Sequence, residues 1–335
     1  MNCSLTAVDL FCGAGGLSQG LHAAGFETVG AVEIGRDACA TYRGAFPATE
    51  LFQTDIREVD LRRWFGVDLV AGGPPCQPFS TGGLQRGSDD GRDFLPEFVR
   101  AVLAVQPRAF LMENVPGLAG FGDYLHATLA PLAERYRISG PHIVNAADYA
   151  VPQSRRRMII VGCRDDRDFR VPPPNPAGRI SAGEVLTREI FGEPNLSKVI
   201  YCKRPDLRPN PYHGQLFNGG GRPIDLAAPA PTILASAGGN KTHFLDCGGH
   251  VPAYHRHLRA GGAPRIGDLP GARRLTVAES AALQTFPTDF EFEGSRSSQY
   301  SQIGNAVPPR LAEILGQALS EHMLKGSLRR KLKAA

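Results

Sequence analysis

The 335 residues contain no C-x-x-C pair, and their cysteines number seven, an odd count. Neither fits a disulfide-stapled secreted scaffold; both point to a reducing, cytoplasmic setting. No run of 18 apolar residues occurs. Val67–Ala71 and Met158–Val161, the strongest stretches, are far too short to span a bilayer. Met1-Asn2-Cys3-Ser4 shows no basic flank ahead of a long apolar block, so no secretory leader is expected. Also missing are the G-x-G-x-x-G spacing of a dinucleotide site, the G-K-[ST] of a triphosphate loop, and any internal repeat. Hydrophobic residues make up 42% and charged residues 21%, which excludes a disordered tail or a collagen-like fibre. A chain of this length makes two domains of about 100–200 residues or one large one. It buries roughly three quarters of its unfolded surface, so a full core needs no staples.

Charge is divided unevenly. Residues 1–150 carry 11 Lys and Arg against 17 Asp and Glu; residues 151–335 carry 26 against 16. An acidic half joined to a basic half suits a small cofactor on one side and a polyanion on the other. A chance asymmetry of a solvated surface fits as well, so the motifs must decide.

Short apolar runs alternate with helix-like segments over the first 165 residues, the pattern of a doubly wound, mostly parallel α/β sheet. Strands are expected at Leu5–Phe11, Thr28–Glu33, Leu51–Gln53, Val67–Ala71 and Ala109–Met112, with a hairpin at Ile138–Val144 and Met158–Gly162. Helices are expected at Leu17–Ala24, Arg36–Phe46 and Phe94–Ala104. A Pro-rich linker at 171–178 ends this pattern. Residues 180–271 are rich in Gly and Pro with little periodicity, which predicts loops and short strands. Pro308-Pro309 then opens an amphipathic helix carrying Leu311, Ile314, Leu315, Ala318 and Leu319. The basic end, Lys325–Lys333, is expected to fray in solvent.

Several motifs fall where such a sheet binds ligands. Asp9-Leu10-Phe11-Cys12-Gly13-Ala14-Gly15-Gly16 turns the first strand into the first helix, and its glycines let a ligand approach the backbone. Glu33 ends the second strand, where a carboxylate commonly grips ribose hydroxyls, and Asp55 follows the third. This suits a nucleoside cofactor without pyrophosphate; a tight structural turn with two surface acids is the blander reading. Gly72-Gly73-Pro74-Pro75-Cys76-Gln77-Pro78-Phe79-Ser80 follows the fourth strand. Prolines stiffen both sides of Cys76, so the loop presents a thiol, read as a nucleophile rather than a buried apolar cysteine. Glu113-Asn114-Val115 ends the fifth strand, beside that loop if strands four and five are neighbours. A carboxyl there, partly desolvated, is expected to have a raised pKa and to donate a proton near neutrality. In Gln153-Ser154-Arg155-Arg156-Arg157, strand alternation would put Arg155 and Arg157 on one face, able to bind phosphate or a carbonyl oxygen. A solvated strand edge is the alternative.

Taken in order, D-L-F-C-G-A-G-G, P-P-C-Q, E-N-V, Q-x-R-x-R, the Leu275–Pro287 stretch L-T-x-x-E-x-x-x-L-Q-x-F-P and the Gln302–Pro309 stretch Q-I-G-N-A-V-P-P resemble the DNA (cytosine-5)-methyltransferases of bacterial type, which implies a place in a restriction-modification system. The likeness spans nearly the whole chain. It implies a Rossmann-like methyltransferase fold with a smaller, irregular target-recognition domain. The division implied is 1–175 for catalysis and cofactor, 176–296 for target recognition, 297–325 returning to the first domain, and 326–335 as a basic tail.

The resemblance also implies roles. Cys76 adds to C6 of cytosine, making C5 nucleophilic. Glu113 supplies the proton at N3, while Arg157 and Arg155 hold O2 and a phosphate. S-adenosyl-L-methionine is the implied methyl donor, with Phe11 on the adenine, Glu33 on the ribose, Asp55 near the adenine amino group, Gly13, Gly15 and Pro75 around the rest, and Asn305 at its carboxylate. The target base must leave the duplex stack. DNA contacts are implied for Gln77, Ser80, Arg157 and Thr232, the last from Pro231-Thr232-Ile233-Leu234, a short Thr-aliphatic element. Double-stranded DNA is the implied partner; a monomer is expected, with a cognate restriction endonuclease as a functional rather than physical partner. A tRNA-methylating member of the same family and a non-catalytic, cofactor-binding DNA regulator are the competing readings. Cys247, His250, His255 and His257, with His243 just before, match no common zinc module, so no metal is assigned. Ala150 stands where a glycine is usual before V-P-Q, and Ala278 and Ala282 where basic residues are usual.

Overall fold

Apolar strands buried on both faces organise the first half of the chain. In the computed structural model, which describes residues 4–75, 93–165, 167–186 and 191–334 (side chains to 325), they form one seven-stranded sheet. Its first elements are β1 (Leu5–Leu10), α1 (Gly16–Ala23), β2 (Phe26–Glu33), α2 (Arg36–Ala45), β3 (Glu50–Gln53) and β4 (Leu69–Gly72). They are followed by α3 (Leu95–Val105), β5 (Ala109–Asn114), α4 (Gly122–Ala133), β6 (Arg137–Asn145) and β7 (Arg156–Cys163). The strand order is β3-β2-β1-β4-β5-β7-β6. All neighbours run parallel except β7, which is antiparallel to both β5 and β6.

Alternation along each strand divides the core into two layers. Val8, Leu10, Val70, Phe110, Met112 and Ile160 face Phe98, Val102, Leu125 and Leu129 of α3 and α4. Ala7, Leu69, Ala71, Leu111 and Val161 face Leu17 and Leu21 of α1 and the last helix of the chain. Helices on both faces are what make the strands continuously apolar.

The remaining chain holds β8 (Tyr201–Asp206), β9 (Gln215–Phe217), β10 (Phe244–Asp246), α5 (His250–Arg259), β11 (Ala272–Arg274), α6 (Val277–Leu283), α7 (Arg296–Asn305) and α8 (Pro309–Ala334). β8 pairs with β9 and β10 with β11, both antiparallel. Two small cores hold this region. One gathers Tyr201, Phe217, Phe244, Val251, Tyr254 and Leu258; the other joins Ile224, Ile233 and Leu245 to Leu283, Phe286 and Ile303. α8 then lies across α1. Gly16 and Gly20 permit the approach: a Cβ on Gly20 would come within 2.3 Å of the Pro309 carbonyl, and one on Gly16 within 2.4 Å of that of Val307.

One expectation needs correction. Residues 180–271 are not all loops and short strands, because α5 buries Val251, Tyr254, His255 and Leu258 at helical spacing. α8 runs through the basic end to Ala334. Among the described residues no helix is long and apolar enough to cross a membrane.

Candidate active site

β1 is where the strand order reverses, with β2 on one side and β4 on the other. Open α/β sheets bind ligands at the carboxyl edge of such a point. Phe11 to Gly15, Glu33, Gly73 and Glu113 all lie at that edge, immediately beyond β1, at the end of β2, beyond β4 and near the end of β5.

Glu113 meets the Gly73–Pro75 segment across β4 and β5. Gly72 pairs with Met112, so Gly73 comes opposite Glu113, and a Cβ on Gly73 would lie 3.2 Å from Glu113 Oε2. Asn114 Nδ2 donates to the Pro74 carbonyl at 2.9 Å, and the Phe94 amide donates to the Pro75 carbonyl at 3.0 Å. The chain is therefore pinned on both sides of the carboxyl-bearing strand up to the residue before Cys76. Cys76, Gln77 and Ser80 lie outside the described residues. Glu113 is 8% exposed, as expected of a desolvated strand end, but its carboxyl has company. Arg157 Nε sits 2.7 Å from Oε1, and Arg157 Nη1 donates to the Arg156 carbonyl at 2.7 Å.

Arg155 does not join them. β7 starts at Arg156, so Arg155 stands just outside the strand whose alternation was expected to pair it with Arg157, and it is 1% exposed. Its guanidinium donates to the carbonyls of Ile233 (3.0 Å), Gly304 (2.8 Å) and Ala306 (2.9 Å). Burial pushes its pKa well down, with the Arg157 charge adding to that. A guanidinium spent on three carbonyls is an internal tie between the Ile233 segment and the α7–α8 turn. Three of its N–H groups are thus engaged within the protein, at the positions expected to meet a base or phosphate.

The cofactor candidates form a second group. Phe11, at φ 58°, is half-buried with its ring edge-on to Phe94 at 5.8 Å. Glu33 accepts from the Gly13 amide (3.0 Å) on Oε2 and from the Ile34 and Gly35 amides (3.0 and 2.7 Å) on Oε1. A carboxylate has about four acceptor positions, so one remains for a hydroxyl. A Cβ on Gly13 would meet nothing within 4 Å, so the turn opens onto free space there, whereas one on Gly15 would strike Phe46 at 2.3 Å. Asp55 caps the turn Ile56–Glu58, and hydrogen bonds from Arg57 bring its pKa down to about 2. Arg57 in turn lies over Phe94 at 5.1 Å, which connects Asp55 to the Phe11 side of the edge. Asn305 is exposed at the end of α7.

Two residues at this edge escape a reading by motif. Ile34 is 67% exposed beside Glu33, an apolar surface at a ligand edge; its place one residue past the strand-end acid was the available signal. Asp9 is 1% exposed, receives the Ser18 hydroxyl at 2.7 Å, and leaves Oδ1 unpartnered; burial pushes its pKa up to about 7.

Thr232 directs its hydroxyl to the Ser154 carbonyl at 2.6 Å, so the donor assigned to a DNA flank is occupied within the protein. The histidines are likewise engaged. His255 donates to the Arg208 carbonyl at 2.7 Å and His257 to that of Ala263 at 2.9 Å. His243 bridges the Thr232 carbonyl and the Arg222 amide. Among the described residues no three His, Cys, Asp or Glu side chains converge as a metal site. Ala150 adopts φ 57°, the left-handed conformation that explains a glycine's advantage there.

Comparison with known proteins gives one answer. The family model described as C-5 cytosine-specific DNA methylase matches residues 5–204 and 229–321. Type II methyltransferase M1.HphI of Haemophilus parahaemolyticus is 35% identical, over 94% of this chain and 87% of that protein. Type II methyltransferase M.NgoMIV of Neisseria gonorrhoeae is 32% identical, over 96% and 98%. Among solved structures, a mutant of Spodoptera frugiperda DNMT2 aligns with a TM-score of 0.71 over 95% of this chain and all of that one. At 19% identity that likeness speaks for the fold alone.

Proposed function

The chain belongs to the C-5 cytosine-specific DNA methylase family, and on that premise we propose that it methylates C5 of a cytosine everted from a specific double-stranded DNA sequence, through a covalent bond between Cys76 and C6. S-adenosyl-L-methionine is the methyl donor, and the product protects DNA from a cognate restriction endonuclease. The observation that carries the reading is the mounting of Glu113 and Asn114 directly against Gly73–Pro75, the approach to Cys76.

The residues support a division of labour. The Cys76 thiolate forms a bond to C6, and the displaced π electrons need an acceptor at the other side of the ring. Glu113 supplies a proton at N3, leaving an enamine whose C5 is nucleophilic. Arg157 holds Glu113 in place and offers its remaining N–H groups to the base O2. Once C5 has taken the donor's methyl group, leaving the donor demethylated, loss of the C5 proton, return of the N3 proton to Glu113 and cleavage of the S–C6 bond release the Cys76 thiolate and 5-methylcytosine. The edge around β1 and β2 fits the donor. Phe11 and Ile34 offer apolar surface to an adenine, Glu33 keeps one acceptor position for a ribose hydroxyl, and Gly13 leaves room. When bound, that cofactor supplies an electrophilic methyl carbon.

The test is incubation of the full chain with labelled S-adenosylmethionine and duplex DNA, followed by bisulfite sequencing. Methylated cytosine within one sequence context is expected. Glu113→Gln should cut kcat by roughly 10²–10⁴-fold. Label in tRNA but not DNA, or no methylated cytosine with folded protein, contradicts the proposal.

A further inference from the structure

In the second region, the chain after β7, two histidines of α5 fasten three basic segments to one another. His255 donates to the Arg208 carbonyl at 2.7 Å, which fixes the end of segment 201–208 against the helix. His257 donates to the Ala263 carbonyl at 2.9 Å, which folds the following segment, 261–265, back onto the same helix. Between these ties the buried Tyr254 packs its ring on Tyr201 at 4.7 Å and lies under the Arg265 guanidinium at 5.6 Å. Its hydroxyl also accepts from the Arg265 amide at 3.3 Å. β8, α5 and segment 261–265 therefore present one surface.

That surface is strongly positive. Residues 201–208 and 250–265 together hold six Lys and Arg and one acid, Asp206, which pairs with Arg208. Lys203, Arg204, Arg256, Arg259 and Arg265 are exposed, and among the described residues none has an acidic partner. Arg256 and Arg259 stand three residues apart and share a helix face. Lys203 and Arg204 lie on the strand that Tyr254 and His255 hold beside that helix. Gathering like charges on a fixed scaffold costs the folded state, a cost that an arriving anion offsets. The second region meets the first elsewhere, through Thr232 on Ser154 and Ile233 on Gln153 and Arg155. The cationic face is therefore separate from the candidate active site.

We propose that this face binds the phosphate backbone of DNA beyond the target sequence, adding affinity and no sequence preference. The inference rests on the function proposed above, which brings a long duplex to this protein. The chemistry favours phosphate: guanidiniums pair with its oxygens bidentately, and an ammonium meets them as a point charge. Each phosphate neutralised also releases condensed counterions. A duplex carries one charge about every 1.7 Å along its axis, so several cations held at fixed places can be satisfied at once.

The experiment measures equilibrium binding of the full chain by fluorescence anisotropy over a salt series. Two DNAs are compared: the shortest duplex the wild type methylates, and the same duplex extended at both ends. The wild type should bind the extended duplex more tightly. Arg256→Gln combined with Arg259→Gln should weaken that binding by roughly tenfold or more at ~0.1 M salt, and should make the log–log salt slope shallower by about 2. Lys203→Gln combined with Arg204→Gln should act alike. Affinity for the short duplex, the sequence preference of methylation and the melting temperature should stay at wild-type values, since all four side chains are exposed. A wild type that binds both duplexes alike, or variants that keep the full advantage of the extended one, overturn the inference. So does an equal loss on both duplexes, which puts these cations at the target itself. Failure of the wild type to methylate any cytosine overturns the proposed function, and this inference with it.

Discussion

Acid should loosen the packing of the second region through one imidazole. His243 is buried between the Arg222 amide and the Thr232 carbonyl, an arrangement that needs the neutral ring with its proton on Nε2. Desolvation comes first in pushing its pKa down to about 4; Arg222 and Arg274 add to it, and the Thr232 carbonyl opposes it. In the unfolded chain the ring titrates near 6.5. Between these values the unfolded state binds the proton and the folded state does not, so stability falls as pH drops through 6.5 and the loss is complete below about 4. A gap of between two and three pH units is roughly 3 kcal/mol in full, of which about 2 kcal/mol is lost by pH 5. Urea unfolding at pH 7 and pH 5, for the wild type and His243→Asn, isolates this. Other titrating groups, Asp9 included, cancel in the difference between the two proteins. The wild type should lose about 2 kcal/mol more than the variant over that interval. An equal loss in both would refute the reasoning.

Asp9 works in the opposite direction. Its folded pKa is raised to about 7 by burial, so the wild type loses stability as pH rises from about 4 to 7; Asp9→Asn should remove roughly 2–4 kcal/mol of that slope, seen as converging urea midpoints at pH 5 and pH 8. Ala150→Gly relieves a left-handed alanine at φ 57° worth about 1–2 kcal/mol, against a cost of about 0.4–1 kcal/mol from the freer unfolded chain. A net gain of about 0.5 kcal/mol should appear as a higher unfolding midpoint, and a lower one contradicts it. Gly20→Ala puts a methyl group 2.3 Å from the Pro309 carbonyl. The displaced α8 should cost about 1–3 kcal/mol despite alanine's better helix propensity, and an unchanged midpoint would show that α8 does not need this approach.

How much of this was legible depends on what each residue's neighbours are. Strands β1 to β5 fall within about two residues of their expected places, and in β1, β4 and β5 the runs buried on both faces leave a clear apolar mark. The same simple pattern hid α5. Its buried face uses Tyr254 and His255 alongside Val251 and Leu258, and its histidines, with Cys247 just ahead of the helix, have a spacing that suggests a metal site instead. α4 was obscured by Pro131 inside it. α6 carried a readable start signal, the Thr276/Glu279 capping box, with Glu279 buried and paired to Arg273. The meeting of Glu113 with Gly73–Pro75 was foreseeable, since it needs only adjacent parallel strands. The fate of Arg155 was not: its partners, Ile233, Gly304 and Ala306, lie 78 to 151 residues away, and no local pattern announces a bond to a distant carbonyl. Glu33 and Asp55 show a related limit, because sequence marks an acid at a strand end without showing how many of its acceptor positions the backbone or Arg57 already fills.

The central claim is a sulfur–carbon bond made by Cys76. Duplex DNA carrying 5-fluorocytosine at the target position blocks loss of the C5 substituent and should trap the protein on the DNA when S-adenosylmethionine is present. The account predicts a covalent complex that survives denaturation, maps by mass spectrometry to the peptide containing Cys76, and vanishes in Cys76→Ser. Methylation by the Cys76→Ser variant at the wild-type rate, or a trapped adduct on another residue, would contradict it.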